Sequence, residues 1–267
     1  MRQKILGLIL AVIFMSTGCK AITIQNNEDI TLEGTLTHIN YMYIEDQRAF
    51  LEYVIDTRGE VVYAIKSRIF KENDVRISFP EVEIADAEMQ KKINNLIWED
   101  VQILISWVPS DWENTITLDV DYKIMLSTNR MLSIVYTGLY FAQGTPGPTS
   151  IFFTTNVNIT TGERVMLNDV VNVDESAIEL LQSENAIFLI PEQREFVISQ
   201  FISNEGFLYR LQNANSAEVG EIFVYFTSDS LGISIGGLGR GGGSHAEIEI
   251  SYKTLLKHHE NSSRPLN

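Results

Sequence analysis

The chain has one cysteine, four histidines and six prolines among 267 residues, counting the histidines as His38, His245, His258 and His259. A single thiol excludes an internal disulfide and a thiolate metal cluster. The histidines follow neither H-x-x-x-H nor H-E-x-x-H spacing, so no metal site and no cofactor are expected. Basic residues are scarce: 20 Lys and Arg stand against 35 Asp and Glu, a net charge of −15. That balance excludes nucleic acid as a partner, because phosphate binding needs clustered Lys and Arg. It favours cationic partners instead. Long apolar runs are also missing. The longest, residues 5–15 (ILGLILAVIFM), falls short of the roughly 20 residues that cross a bilayer. What the chain does have is 45% hydrophobic residues spread along its length, enough for a globular core.

The first eighteen residues read as a secretory signal peptide. Arg2 and Lys4 form a basic head, the apolar run follows, and Ser16, Thr17 and Gly18 supply a small-residue cleavage site. The one cysteine, Cys19, comes next. This arrangement resembles the bacterial lipobox, in which the cysteine is acylated and becomes the mature N-terminus. One position departs from it: Ser16 stands where that motif usually has Leu. Two or three acyl chains give a stable membrane anchor, since each buried CH₂ contributes roughly 0.8 kcal/mol. Cleavage removes Arg2 and Lys4, which takes the net charge to −17. An extracytoplasmic, lipid-anchored protein of 249 residues is expected, with residues 19–29 as a polar tether.

The patterning then divides the chain. Residues 30–76 alternate in short apolar runs (ITLEGTLTHI, AFLEYVID, VVYAI), which predicts a small all-β segment, with a barrel as one option, and a charged linker over 71–76. Residues 77–257 read as an α+β domain: an antiparallel sheet with helices packed on one face. A strand ending at Pro80 leads into a helix whose apolar face carries Met89, Ile93, Leu96, Ile97, Val101 and Leu104. Strict alternation over 115–126 predicts a half-buried strand, and MLSIVYTGLYFA and SIFFTTNVNI complete a meander. Asp174 opens one helix, and Pro191 opens another with Phe196, Val197, Phe201 and Ile202 on one side. IFVYFTS, LGISI and AEIEIS return to strands, a short helix follows Tyr252, and residues 258–267 form a tail.

Several stretches, in order, carry a resemblance: ISFPEVE with KKINNLI, MLSIVYTGLYF, QGTPGPTS, NVNITTGERVMLNDVV, and FVYFTSDSLGISI with EIEISYKTLL. Together they resemble a Gram-positive family of extracytoplasmic domains of unknown function. That family occurs in the external half of lysozyme-sensing anti-sigma factors, beside peptidoglycan deacetylase domains, and in small lipoproteins. The resemblance implies binding at the cell envelope, with lysozyme or peptidoglycan as the partner. Many relatives have Gly-Gly-Ala-His where this chain has Gln143-Gly144-Thr145-Pro146, so no role of that histidine transfers. The deacetylase metal motifs have no counterpart here, and no cytoplasmic anti-sigma segment is expected ahead of the leader.

Candidate chemistry is thin. Gly232-Ile233-Ser234-Ile235-Gly236 matches G-x-S-x-G, but it alternates like a strand and lacks the following helix that a nucleophile elbow needs. The glycine-rich stretch 237–242 (GLGRGG) matches G-x-G-x-x-G, but a strand follows instead of the helix that would hold a pyrophosphate. Asp119 and Asp121 share one strand face, at a spacing a glycosidase pair could use, though a charged solvent face accounts for them as well. Trp98 and Trp107 are expected in the core and Trp112, among polar neighbours, on the surface.

Loops on a rigid sheet commonly carry function. The expected binding surface therefore joins the loop over 143–150, with Gly144, Pro146 and Gly147, to the loop over 236–245, with Arg240 and His245; Trp112 is the aromatic candidate. The expectation is a non-enzymatic, cell-surface lipoprotein that binds lysozyme or another cationic protein, or cell-wall glycan. The rival expectations are a wall-acting hydrolase using acidic residues, and a purely structural assembly partner.

Overall fold

A computed structural model describes the backbone of residues 12–13, 22–23, 38–44, 49–55, 61–108, 115–216, 221–238 and 244–262, and the side chains of 62–108, 115–216, 221–238 and 244–258. Cys19, Trp112 and Arg240 lie outside the described residues.

The class is α+β, as expected, but the strands form two sheets. Strands β1 (Val12–Ile13), β2 (Ile22–Thr23), β3 (His38–Ile44), β4 (Ala49–Ile55), β5 (Val61–Glu72), β6 (Val75–Ile84), β7 (Ile116–Ser127), β8 (Met131–Ala142), β9 (Thr149–Asn158) and β10 (Glu163–Arg164) make one sheet. Its order is β10-β9-β8-β7-β6-β5-β4-β3-β1-β2. The second sheet has the order β11-β14-β13-β12, from β11 (Ile187–Phe188), β12 (Ile222–Phe226), β13 (Ser230–Ile235) and β14 (Ala246–Ser251). All pairings are antiparallel except β6 with β7. Those two are joined by the helix α1 (Ala87–Ser106), a crossover that parallel neighbours require.

The barrel option for residues 30–76 is corrected: the described strands there extend the large sheet as an open meander, not a closed barrel. The expected linker is a hairpin. Glu72 pairs with Val75 across Asn73 and Asp74, and Asn73 has φ +49°. A two-residue turn of this kind needs positive φ, which Asn tolerates. The boundary drawn at 76/77 thus falls inside β6.

β6 also runs past Pro80 to Ile84. Beyond Ile77 its second edge has no strand partner, and α1 takes that place. Asn94 accepts from the Val82 N–H (2.8 Å) and donates to the Val82 carbonyl (2.8 Å), while Gln90 accepts from the Ile84 N–H (3.1 Å). Pro80 has the same parity as Val82 and Ile84, so its missing N–H points at the edge where no ladder partner waits.

α1 begins at Asp86, whose side chain accepts from Glu88 N and Met89 N. It buries Ile93, Ile97, Val101 and Leu104 against one face of the large sheet. β9 shows the layering. Thr155 reaches Asp100 of α1, whereas its neighbour Asn156 donates to the Val224 carbonyl of β12 (2.8 Å) on the other side. Ser133, paired across the ladder with Asn156, accepts from Phe226 N (2.9 Å). Asn215, at φ +69°, accepts from Val224 N (2.6 Å). Side chains thus satisfy the outer edge of β12, and an unpaired strand edge becomes a seam between the sheets.

The far face of the second sheet, with Val224, Ile233 and Ile248, carries a second core. Over it pack α2 (Glu175–Gln182, capped by Asp174), α3 (Arg194–Val197), which continues as a π-turn over Ile198–Ile202, α4 (Phe207–Gln212) and α5 (Tyr252–Ser262). Phe196, expected on the buried side, is half exposed, while Val197 and Ile202 are buried. No helix among the described residues is long and apolar enough to cross a membrane.

Candidate functional site

The near face of the second sheet is where polar chemistry gathers. Tyr225 on β12 faces Gly232 on β13, which faces Glu249 on β14. A Cβ on Gly232 would sit 2.1 Å from the Tyr225 ring, so the glycine is there to let that ring lie flat on the sheet. Lying flat, the Tyr225 hydroxyl reaches Glu247 Oε2 (3.1 Å) and Glu249 Oε1 (3.4 Å). Burial, and then the two carboxylates, push the Tyr225 phenol well above its ordinary value. Ser230 donates to Glu249 (3.2 Å), and His245 Nε2 lies 3.4 Å from Glu247 Oε1.

Ser234, opposite Glu247 in the ladder, is fully buried, and its hydroxyl has no hydrogen-bond partner. A buried hydroxyl left unmade costs about 1–3 kcal/mol. It faces a cleft of about 400 Å³. The cleft's walls are Trp107, Tyr140, Phe152 and Phe223, and its rim carries Glu221 and His245. His245 packs on Phe152 with ring centres 4.7 Å apart. Glu221 is held at φ +73°, a conformation unfavourable for a side-chain-bearing residue, with its carbonyl bound to Gly236 N and its carboxylate to Arg210 (2.9 Å). Strain of this kind collects at functional sites.

The two loops singled out from sequence meet here through their inner ends. Thr149 and Ser150 line the cleft from one side, and Gly236, Gly237, Ser244 and His245 from the other. Gly144 and Pro146 are exposed, Gly147 is half exposed, and none of the three lines the cleft. Trp107 was assigned to the core. It is 37% exposed and forms a wall of the cleft, with its edge to Phe153. Trp98 is also half exposed, against Phe79 and Phe70.

G-x-S-x-G is a strand, β13, with no helix after it. Asp119 and Asp121 lie on an exposed strand face, where both bind Arg76 (2.8 and 3.3 Å). Hydrogen bonds from Ser78 and Arg76 hold the Asp121 carboxyl below the usual range. This pair lines neither of the two large cavities. Among the described residues, no cluster of three or more His, Cys, Asp or Glu has the geometry to hold a metal ion.

Sequence reasoning missed Tyr225, Glu247 and Glu249, and set Ser234 aside as a strand residue of the G-x-S-x-G match. A signal was present: AEIEIS places two carboxylates on one face of a strand that proves internal to its sheet.

No protein-family profile matches the sequence, and no curated protein matches it. Among the solved structures that are similar are two DUF3298-family proteins. One is a DUF3298-family protein of Bacteroides fragilis, at 11% identity and TM-score 0.44, covering 75% of this chain and 97% of its own. The other is a DUF3298-family protein of Pseudomonas aeruginosa, at 9% identity and TM-score 0.40, covering 72% of this chain and 90% of its own. Both belong to a domain-of-unknown-function family. At these values neither likeness bears on what the cleft binds.

Proposed function

We propose that the protein is a lipid-anchored, extracytoplasmic binding module without catalytic activity, and that the cleft beside Ser234 takes a cell-wall saccharide. The observation that carries this reading is the unpartnered, buried Ser234 hydroxyl set among aromatic walls. Sugar rings present apolar faces that stack on aromatic side chains and hydroxyls that seek buried acceptors and donors. Trp107 and Tyr140 supply the first need. Ser234, His245 and Glu221 supply the second. The lipobox-like stretch ending at Cys19 supports this reading, since an acylated Cys19 would hold the module at the outer face of a membrane, within reach of the wall.

Calorimetric titration with soluble disaccharide fragments of peptidoglycan tests the reading. Binding that weakens at least tenfold in Ser234→Ala and Trp107→Ala supports it, and absence of heat rejects it. The net charge of −15 favours a second reading, a cationic protein such as lysozyme as the partner. That version requires binding at low salt that falls steeply as salt rises. The anchor is tested separately: Cys19→Ala should move the protein out of the membrane fraction, and unchanged fractionation contradicts it.

A further inference from the structure

A second cavity, of about 410 Å³, lies in the other core. β13 and β14 form its floor with Leu231, Ile233 and Ile250, and α2 and α5 cover it with Leu180, Leu181 and Leu255. Its chemistry differs from that of the saccharide cleft. Tyr252 and His258 are the two ring-bearing residues in its described lining, so a sugar has little to stack on.

Three of the polar groups in its lining, Asn172, Asp174 and Tyr252, are engaged with the protein. Asn172 donates to Asp174 (2.7 Å), Asp174 caps α2 through Ser176 N (2.9 Å), and the Tyr252 hydroxyl donates to the Thr227 carbonyl (3.1 Å). A cavity with largely aliphatic walls does not hold water well, and such cavities take apolar guests. Left empty, it would deprive a dozen aliphatic side chains of contacts. At the rim, Val170 and Leu256 are 49% and 67% exposed, large apolar side chains standing in water.

We propose that this cavity binds the alkyl chain of a neutral amphiphile, such as a long-chain alcohol or a monoacylglycerol. The chain would lie over Ile233 and Leu181, and the head group would remain at the rim beside Asn172 and Asp174. The Asp174 carboxylate, with His258 near it, disfavours an anionic head there, because like charges repel. This site is separate from the cleft beside Ser234 and does not depend on what that cleft binds.

The test uses the full-length protein in its own membranes, irradiated with a dodecanol that carries a mid-chain diazirine, and maps the labelled peptides. The expected result is labelling concentrated in residues 167–181 and 250–256. Excess plain dodecanol should reduce it at least tenfold, and equal dodecanoate much less. Ile233→Trp, which fills the floor, should abolish the label. Leu256→Lys at the mouth should weaken it, and serves if the first variant does not fold by circular dichroism. Labelling spread evenly along the chain, or unchanged in a folded Ile233→Trp protein, would overturn the proposal.

Discussion

Two of the buried polar clusters among the described residues are built to opposite specifications. In the first, Asp100 of α1 is fully buried and every bond it needs is made. Arg164 grips it in a two-pronged pair (2.8 and 2.6 Å), and Thr155 donates a third bond (2.5 Å). Burial pushes the Asp100 carboxyl up, against the pull of Arg164 and Thr155. The cluster ties α1 to β9 and β10, and none of Asp100, Thr155 and Arg164 lines either of the two cavities described above. In the second, Tyr225 has a single proton for two carboxylates, Ser234 has no partner, and Ser234 and His245 line an aromatic cleft. A complete network rigidifies a fold, whereas an incomplete one implies something to complete it. The first reads as architecture and the second as a site.

That contrast is easiest to break at Arg164. Arg164→Met leaves the Asp100 carboxylate buried without its counter-ion and should cost about 3–5 kcal/mol, seen in chemical denaturation. Because the folded carboxyl then holds its proton more tightly than the unfolded one, the variant should lose stability as pH rises above the usual carboxylate range. Replacing Asp100 and Arg164 together by apolar residues should restore most of the loss. Gly232→Ala should cost about 1–3 kcal/mol, since the new methyl displaces the Tyr225 ring. Asp174→Ala should cost about 1 kcal/mol through the lost cap on α2. Hydrogen bonds from Ser176 hold the Asp174 carboxyl low, so this contribution is present above the usual carboxylate range and fades as pH falls through the lowered value. Ultraviolet titration of the phenols sharpens the comparison further. Burial raises Tyr252 to about 12 and pushes Tyr225 and Tyr136 higher still. The folded phenols favour their neutral form, so stability holds below the ordinary tyrosine range and is lost as pH climbs above it. Ionisation of these residues before the protein unfolds would contradict the burial described.

The elements were largely legible, and the sites were not. Period-2 alternation over 115–126 found β7, and the apolar stripe from Met89 to Leu104 found α1. The bulge near Met125, where the register of β7 shifts, has no such signal, because it depends on the partner strand. The turn at Asn73-Asp74 was readable as a hairpin but was masked by the charges around it. Pro80 stopped the predicted strand early because its tolerance comes from Asn94 of α1, fourteen residues further on. The cleft was half visible: the glycine-rich loop pointed to His245, but Ser234 and Glu247 become neighbours only when β13 and β14 pair. Trp107 looked like core because an exposed aromatic at a helix end cannot be told from a buried one without the opposing wall. The Asp100–Arg164 pair joins residues sixty-four apart, and no local pattern announces it.

The central claim is that the cluster around Ser234 is incomplete because a ligand completes it. The decisive measurement is Ser234→Ala, examined by denaturation and by titration with soluble peptidoglycan disaccharides. Removing an unpartnered hydroxyl should leave stability unchanged or slightly raised, while binding weakens at least tenfold. A variant that is destabilised by more than about 1 kcal/mol, the net worth of a typical hydrogen bond, and that still binds like the parent would contradict the account.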